Sequence, residues 1–261
     1  HVSSNDVIAN VPYVEGAGMW FDHHSSEEER LSFVAFKGDS KDAPSAARVI
    51  YDYYSEDHDL SRFDEMMKYV DKVDSGDLTE DDILNPAGWV LLGFICDPRT
   101  GLGYHQEYAT SNLQLMQNLV DYIRTMGIDE ILTHTDVKER VDRYFENDSI
   151  CKDFIKEHSK VDGPIVITDT RGVTDTPPGN RFLVYSLYPD TNISIRLQDV
   201  KGGESVSISV GYSITNPTSQ VDVGSLMLKY QGGGHRKVGT CQVPGAEAER
   251  ILSEIIEACK S

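Results

Sequence analysis

What this sequence lacks narrows its function before any motif is considered. Its 261 residues contain no run of about 18 apolar residues, so no membrane span is expected. Cysteine is scarce. Cys96, Cys151, Cys241 and Cys259 lie far apart with no C-x-x-C pair, which excludes a zinc-ribbon spacing and a disulfide framework and suits reduced thiols in a cytoplasmic protein. No G-x-S-x-G string supports a serine nucleophile, and there is no P-loop or dinucleotide fingerprint. No internal repeat or low-complexity tract is present. No charged-then-apolar signal segment opens the chain, and its first residue is His1 rather than Met, so the chain is expected to begin partway into a longer protein.

Positive charge is also in short supply, with 24 Lys and Arg against 43 Asp and Glu and a net charge of −19. The deficit is uneven. Residues 161–261 carry 9 cations and 11 acids, a balance of −2, so the 15 and 32 of residues 1–160 leave −17 there. A surface this acidic does not suit long duplex nucleic acid, because neutralising phosphate drives that mode of binding. A short anionic substrate bridged to the acids by cations remains compatible. Hydrophobic residues at 39% and charged ones at 26% describe a soluble globular chain, long enough for two ordinary domains.

Patterning divides the chain. DVIANVPY (6–13) and AGMWF (17–21) read as strands that end in polar residues, Asn10 after the first and Asp22-His23-His24 after the second. Pro44 sits at an expected first helical position, ahead of Ala46, Ala47, Val49, Ile50, Tyr53 and Tyr54. Ser61 is expected to cap a helix bearing Phe63, Met66, Met67, Val70 and Val73, which runs out at Asp74-Ser75-Gly76-Asp77. AGWVLLGFIC (87–96) reads as a buried helix, 111–126 as an amphipathic one, and 129–160 as a connecting helical region. Beyond Gly163-Pro164, IVITD, RFLVYSLY (181–188), ISIRL and VSISVGY read as strands. A helix over 223–230, the QGGGH segment, a strand VGTCQV and a final helix over 245–260 complete the pattern. The expectation is an α/β first domain over 1–145 with a parallel sheet covered on both sides, a helical linker over 146–162, and a smaller α+β domain over 163–261.

Ligands of open parallel sheets bind at the carboxyl ends of strands, which is where Asn10 and Asp22-His23-His24 fall. Carboxylate with imidazole suits Mn²⁺, Fe²⁺, Co²⁺ or Zn²⁺ rather than Ca²⁺. Asp74 is a further candidate, because an acid is mildly unfavourable at a helix C-terminus; Asp71 and Asp77 stay open for the same role. In Gly232-Gly233-Gly234-His235-Arg236-Lys237, bare backbone followed by three side chains able to carry positive charge suits phosphate. Tyr212 and Tyr230 are candidates to stack on a base, with a core role equally open.

Together, Asp22-His23-His24 and GGGH (232–235), about 200 residues apart and in this order, resemble the DHH phosphoesterase superfamily with its C-terminal substrate-binding domain. NDVIANVPYVEG, DPRTG (97–101) and YQGGGH resemble the exopolyphosphatase-like branch. The resemblance implies a metal-dependent phosphohydrolase with two divalent ions between its domains, Mn²⁺ first, with Co²⁺ or Mg²⁺ as substitutes. It implies His23 and Asp74 as metal ligands, with Asn10 where the family has a bridging Asp. Asp22 would orient the histidines and His24 would contact the scissile phosphate, while Gly233, Gly234, His235 and Arg236 would bind substrate. The implied substrate is small and phosphate-rich: polyphosphate in the main reading, or short oligonucleotides or cyclic dinucleotides in the alternative. A third reading is a phosphate-ligand binding protein that has lost catalysis. A homodimer is compatible, and hinge motion near 145–164 is expected. The family's N-terminal D-x-D strand has no counterpart before residue 22 and is expected upstream of His1.

Overall fold

A computed structural model describes residues 2–24, 35–105, 107–200 and 203–260. Ser25 to Arg30 of the polar stretch after His24 lie outside the described residues. The chain divides into two compact units, His1–Asp77 and Leu78–Ser261.

In the first unit, β1 (Val7–Ala9), β2 (Met19–Asp22) and β3 (Gly38–Ser40) form a parallel sheet in the order β1-β2-β3. Trp20 and Phe21 are neighbours on one strand, so their side chains leave opposite faces, yet each is only 1% exposed. Both faces of the sheet are therefore covered, as expected for a parallel sheet. Phe21 meets Tyr53 edge-on, and Trp20 packs against Tyr13 and Phe36.

The helices of this unit start differently from expectation. In α1 (Ala46–Ser55) the cap is Ser45, whose hydroxyl accepts the Arg48 N–H at 3.0 Å, so Pro44 lies outside the helix. Ser61 does not cap either. The Asp59 carboxylate accepts its N–H at 3.1 Å and starts a 3₁₀ turn, Ser61–Phe63, that leads into α2 (Asp64–Ser75). Gly76, at φ 75°, closes α2 in the left-handed conformation that glycine adopts without strain.

The second unit opens with helices: α3 (Glu80–Leu84), α4 (Gly88–Cys96), α5 (Asn112–Thr125), α6 (Ile128–Thr133), α7 (Thr135–Glu146) and α8 (Asp148–Glu157). There follow β4 (Ser159–Asp162), β5 (Ile165–Asp169), α9 (Leu183–Leu187), β6 (Ile193–Asp199), β7 (Ser205–Tyr212), α10 (Val223–Leu228), β8 (Gly233–His235), β9 (Val238–Pro244) and α11 (Ala248–Lys260). The six strands run in the order β4-β5-β6-β7-β9-β8, with only the β5–β6 pair parallel. One face is apolar, its Ile165, Ile167, Ile193, Ile195, Ile208 and Val210 packed with α10 and α11 in a single core cluster. Alternation puts Ser194, Arg196, Ser209 and Thr240 on the other face.

RFLVYSLY is a correction, since 183–187 form a helix rather than a strand. A short apolar run without alternation does not distinguish the two by pattern. Local chemistry decides it: Asn180 is buried, accepts the Phe182 N–H through its amide oxygen at 2.9 Å, and donates to the Ile83 carbonyl at 3.2 Å. β3 and β4, written GDS and SKVD, gave no strand signal. The region expected as a linker holds α8 and β4, and the expected domain boundary falls inside the second unit. No described helix is long and apolar enough to cross a membrane.

Candidate active site

β2 ends at Asp22, and the chain turns at once, so the strand's last acid and the two histidines leave the backbone in different directions. The Asp22 side chain is fully buried. Its oxygens accept the His24 Nδ1 at 3.1 and 3.0 Å and the His24 backbone N–H at 3.1 Å. A carboxylate only accepts, so Nδ1 of His24 carries the proton and Nε2 faces away from Asp22. Among the described residues the Asp22 carboxylate bonds to the His24 ring and not to that of His23. His23 is held by a different group, the Ala43 carbonyl, 3.0 Å from its Nδ1. A backbone oxygen just before α1 left no trace in the sequence pattern.

With Nδ1 protonated, His23 Nε2 presents its lone pair to Asp74 Oδ2 at 3.7 Å. That is beyond hydrogen-bond range, and a lone pair facing a carboxylate is unfavourable unless a proton or a metal cation lies between them. Bonds of about 2.0–2.2 Å from each donor would span the gap, and an imidazole nitrogen with a carboxylate oxygen suits a divalent transition metal. The two residues fit such an ion. Among the described residues no group of three or more His, Cys, Asp or Glu is arranged to hold one, so this pair by itself would supply only part of a coordination shell.

Asn10 stands at the carboxyl end of β1, its N–H donating to the Phe21 carbonyl at 3.0 Å. Its φ of 59° is left-handed, a conformation that Asn and Asp tolerate better than other side chains. Asp71 is committed elsewhere: Arg48 reaches it through Nε at 2.9 Å and a terminal nitrogen at 2.6 Å, and Ser45 donates to it at 2.8 Å. Asp77 is exposed beyond the end of α2.

The GGGH segment is a hairpin edge. β8 pairs antiparallel with β9 in the register Gly233–Thr240, Gly234–Gly239, His235–Val238. A Cβ on Gly232 would meet the Thr240 carbonyl oxygen at 2.3 Å, and one on Gly234, at φ 152°, would meet the Val238 oxygen at 2.2 Å. Those two glycines are required by the approach of β9. Gly233 is not, because a Cβ there meets nothing within 4 Å. Gly233 and His235 fall on the polar face of the sheet, in rows with Thr240, Ser209 and Arg196 and with Val238, Gly211 and Ser194. Arg236 and Lys237 form the exposed turn. Tyr212 is buried and donates to the Val221 carbonyl, and Tyr230 packs on the core and donates to Glu254, so both take the core role.

All four thiols are free, and burial pushes those of Cys96, Cys151 and Cys259 up to about 11 and raises that of Cys241. Raised in this way, the thiols favour the protonated form at neutral pH.

Among solved structures, the chain is similar to the pGpG-specific phosphodiesterase PggH from Vibrio cholerae, at 38% identity and a TM-score of 0.75, covering 100% of this chain and 85% of that one. The chain belongs to the DHH phosphoesterase superfamily. It is a phosphoesterase, and enzymes of this superfamily generally use divalent metals. This DHH phosphoesterase also shares 15% identity with an exopolyphosphatase-related protein from Bacteroides fragilis, over 92% of this chain and 63% of that one, at a TM-score of 0.45, which is too slight to carry an argument. No family model matches the chain, and no curated protein sequence matches it.

Proposed function

We propose that this phosphoesterase hydrolyses the phosphodiester bond of a short linear dinucleotide, with pGpG as its substrate and GMP as product. One observation carries the reading: 38% identity to a pGpG-specific phosphodiesterase across the whole of this chain. It favours the oligonucleotide alternative over the exopolyphosphatase reading. The acidic composition, −17 over residues 1–160, agrees with a ligand of few phosphates rather than a long strand.

In this proposal residues 1–145 carry the chemistry and residues 163–261 bind substrate. His23, Asp74 and Asn10 would hold the divalent ion, Mn²⁺ first and Co²⁺ or Mg²⁺ as substitutes. The bound ion supplies the positive charge that stabilises attacking and leaving oxygens in an in-line displacement at phosphorus. The Ala43 carbonyl keeps the His23 Nε2 lone pair aimed toward Asp74. Asp22 fixes the His24 ring, so that Nε2 of His24 is directed at a phosphate oxygen; protonated there, His24 donates a hydrogen bond to the charge that builds on it. Gly233 and Gly234 offer backbone to a substrate phosphate, and His235 and Arg236 add side-chain donors.

The test is the full chain with Mn²⁺, with and without EDTA, against pGpG, pApA, cyclic di-GMP and short polyphosphate, with products separated by ion exchange. GMP from pGpG, abolished by EDTA and restored by Mn²⁺, is expected. Shortening of polyphosphate with pGpG left intact would return the reading to an exopolyphosphatase.

A further inference from the structure

The DPRTG string at 97–101 folds as a tight turn whose acid, Asp97, is only 7% exposed. Asp97 Oδ1 accepts the Arg99 N–H at 2.9 Å and Arg99 Nε at 2.7 Å. Its Oδ2 accepts Arg181 Nε at 3.4 Å. Thr100 locks the turn, its hydroxyl donating to the Asp97 carbonyl at 2.8 Å and its own carbonyl accepting the Gly179 N–H at 2.9 Å, so 97–101 and 176–181 are held together.

One carboxylate thus compensates two guanidiniums. Each is engaged through Nε, and among the described residues no other group accepts a hydrogen bond from either, which leaves the terminal NH₂ groups of both forks unsatisfied by protein. Arg181 is fixed in plane by the Phe182 ring, 4.0 Å from its central carbon. Burial, and then the charge of Arg99, hold its pKa below the ordinary guanidinium value. With Asp97 balancing one of the two charges, the spot keeps a net positive charge in a chain with a 19-charge excess of acid, and the free ends of the two forks suit an anionic ligand.

Their position points to what that is. Arg181 lies over the Phe182 ring, whose centroid is 6.4 Å from that of Tyr185, and the Tyr185 hydroxyl meets Ser194 Oγ at 3.1 Å. Ser194 pairs with Gly211, Gly211 with Val238 and Val238 with His235, so a single cross-strand row on the polar face runs from beneath Tyr185 to the GGGH hairpin. Three strand spacings of about 4.8 Å make this row roughly 14 Å long. A ligand touching both ends needs anionic groups at two separated positions.

We propose that Arg99 and Arg181 form a second anion subsite that takes the terminal 5′-phosphate of the linear dinucleotide and selects it over cyclic or 5′-dephosphorylated forms. This rests on the dinucleotide reading above. Paired guanidinium forks match a dianionic phosphate bidentately, and a cyclic dinucleotide has no terminal phosphate to offer them.

The experiment compares pGpG with GpG in wild type, Arg99→Gln, Arg181→Gln and Arg181→Lys, by kcat/KM in Mn²⁺ and by equilibrium binding with Ca²⁺ in its place. Wild type is expected to prefer pGpG. Each Gln variant should weaken pGpG binding roughly 10- to 100-fold and leave GpG unchanged, with partial recovery in Arg181→Lys, which keeps charge but not the fork. Arg181 is 28% exposed and its removal risks the fold, so melting curves accompany the set. Arg99, at 57% exposed, decides if Arg181→Gln unfolds. Folded variants that bind pGpG as wild type does, or that lose GpG equally, overturn the subsite. Arginine-dependent binding of pGpG without hydrolysis keeps the subsite and sinks the phosphodiesterase reading. Hydrolysis indifferent to both arginines does the reverse, and a wild type that binds no pGpG ends both.

Discussion

Adding one methyl group at each of two adjacent glycines separates what the GGGH segment does for the fold from what it does for substrate. In Gly234→Ala the new Cβ would lie 2.2 Å from the Val238 oxygen and 2.4 Å from the Gly239 Cα, both backbone atoms that move only if the β8–β9 hairpin opens. Overpacking of this kind costs about 1–3 kcal/mol, and an L side chain at φ 152° adds a further ~1–3 kcal/mol. The total, about 2–6 kcal/mol, lowers the melting temperature of a chain this size by roughly 5–20 °C. In Gly233→Ala the Cβ meets nothing within 4 Å, so stability should stay within about 0.5 kcal/mol of wild type. If a phosphate approaches this backbone from the polar face, the methyl group stands in its path, and loss of one hydrogen bond to a charged group lowers kcat/KM roughly tenfold or more. Thermal melts followed by circular dichroism, alongside pGpG turnover, check both. A stable, fully active Gly233→Ala would refute the claim that the open glycine serves ligand, and a Gly234→Ala as stable as wild type would refute the packing argument.

Asp22→Asn should lower kcat/KM roughly 10–100-fold by releasing His24, while Mn²⁺ affinity measured by electron paramagnetic resonance holds steady; an equal loss of Mn²⁺ would make Asp22 a ligand instead. Asp71→Ala leaves Arg48 and Ser45 without their shared acceptor and should destabilise by about 1.5–3 kcal/mol, with Arg48→Ala adding little on top in a double-mutant cycle followed by urea unfolding. Acid should also unfold the chain in a defined window. The carboxyl of Asp136 is held below 3.8 chiefly by the Tyr122 hydroxyl, which outweighs burial, and Asn118 and Thr110 add to it. Asp97 is lowered too, because bonds from Arg99 overcome the opposing effect of its burial. Folded values below the unfolded ones mean that this stability is fully present above about pH 4 and disappears as pH falls through the folded values. Melting temperature should therefore be level from pH 6 to about 4.5 and drop below 4, with a shallower drop in Asp136→Asn. A drop already complete at pH 5 would contradict the assignment.

Features whose chemistry is local could be read directly from the residue string. A strand ending in Asp22-His23-His24, an acid at a helix end and a glycine run followed by His235 and Arg236 were legible because each is a short string with a distinctive composition. The covered parallel sheet and most helices were legible because burial imposes a period on side chains. RFLVYSLY was misread because a short apolar run carries no period, and the bonds of Asn180 to Phe182 and Ile83, the latter 97 residues away, decided for a helix. Only the tertiary structure assigned His23 to the Ala43 carbonyl, withdrew Asp71 into an ion pair with Arg48, and distinguished Gly233 from its two neighbours by what β9 leaves open. It alone set Arg99 and Arg181 on one carboxylate, 82 positions apart in the chain. Such pairings depend on where strands and turns come to rest against one another, and no spacing within a linear string encodes that distance.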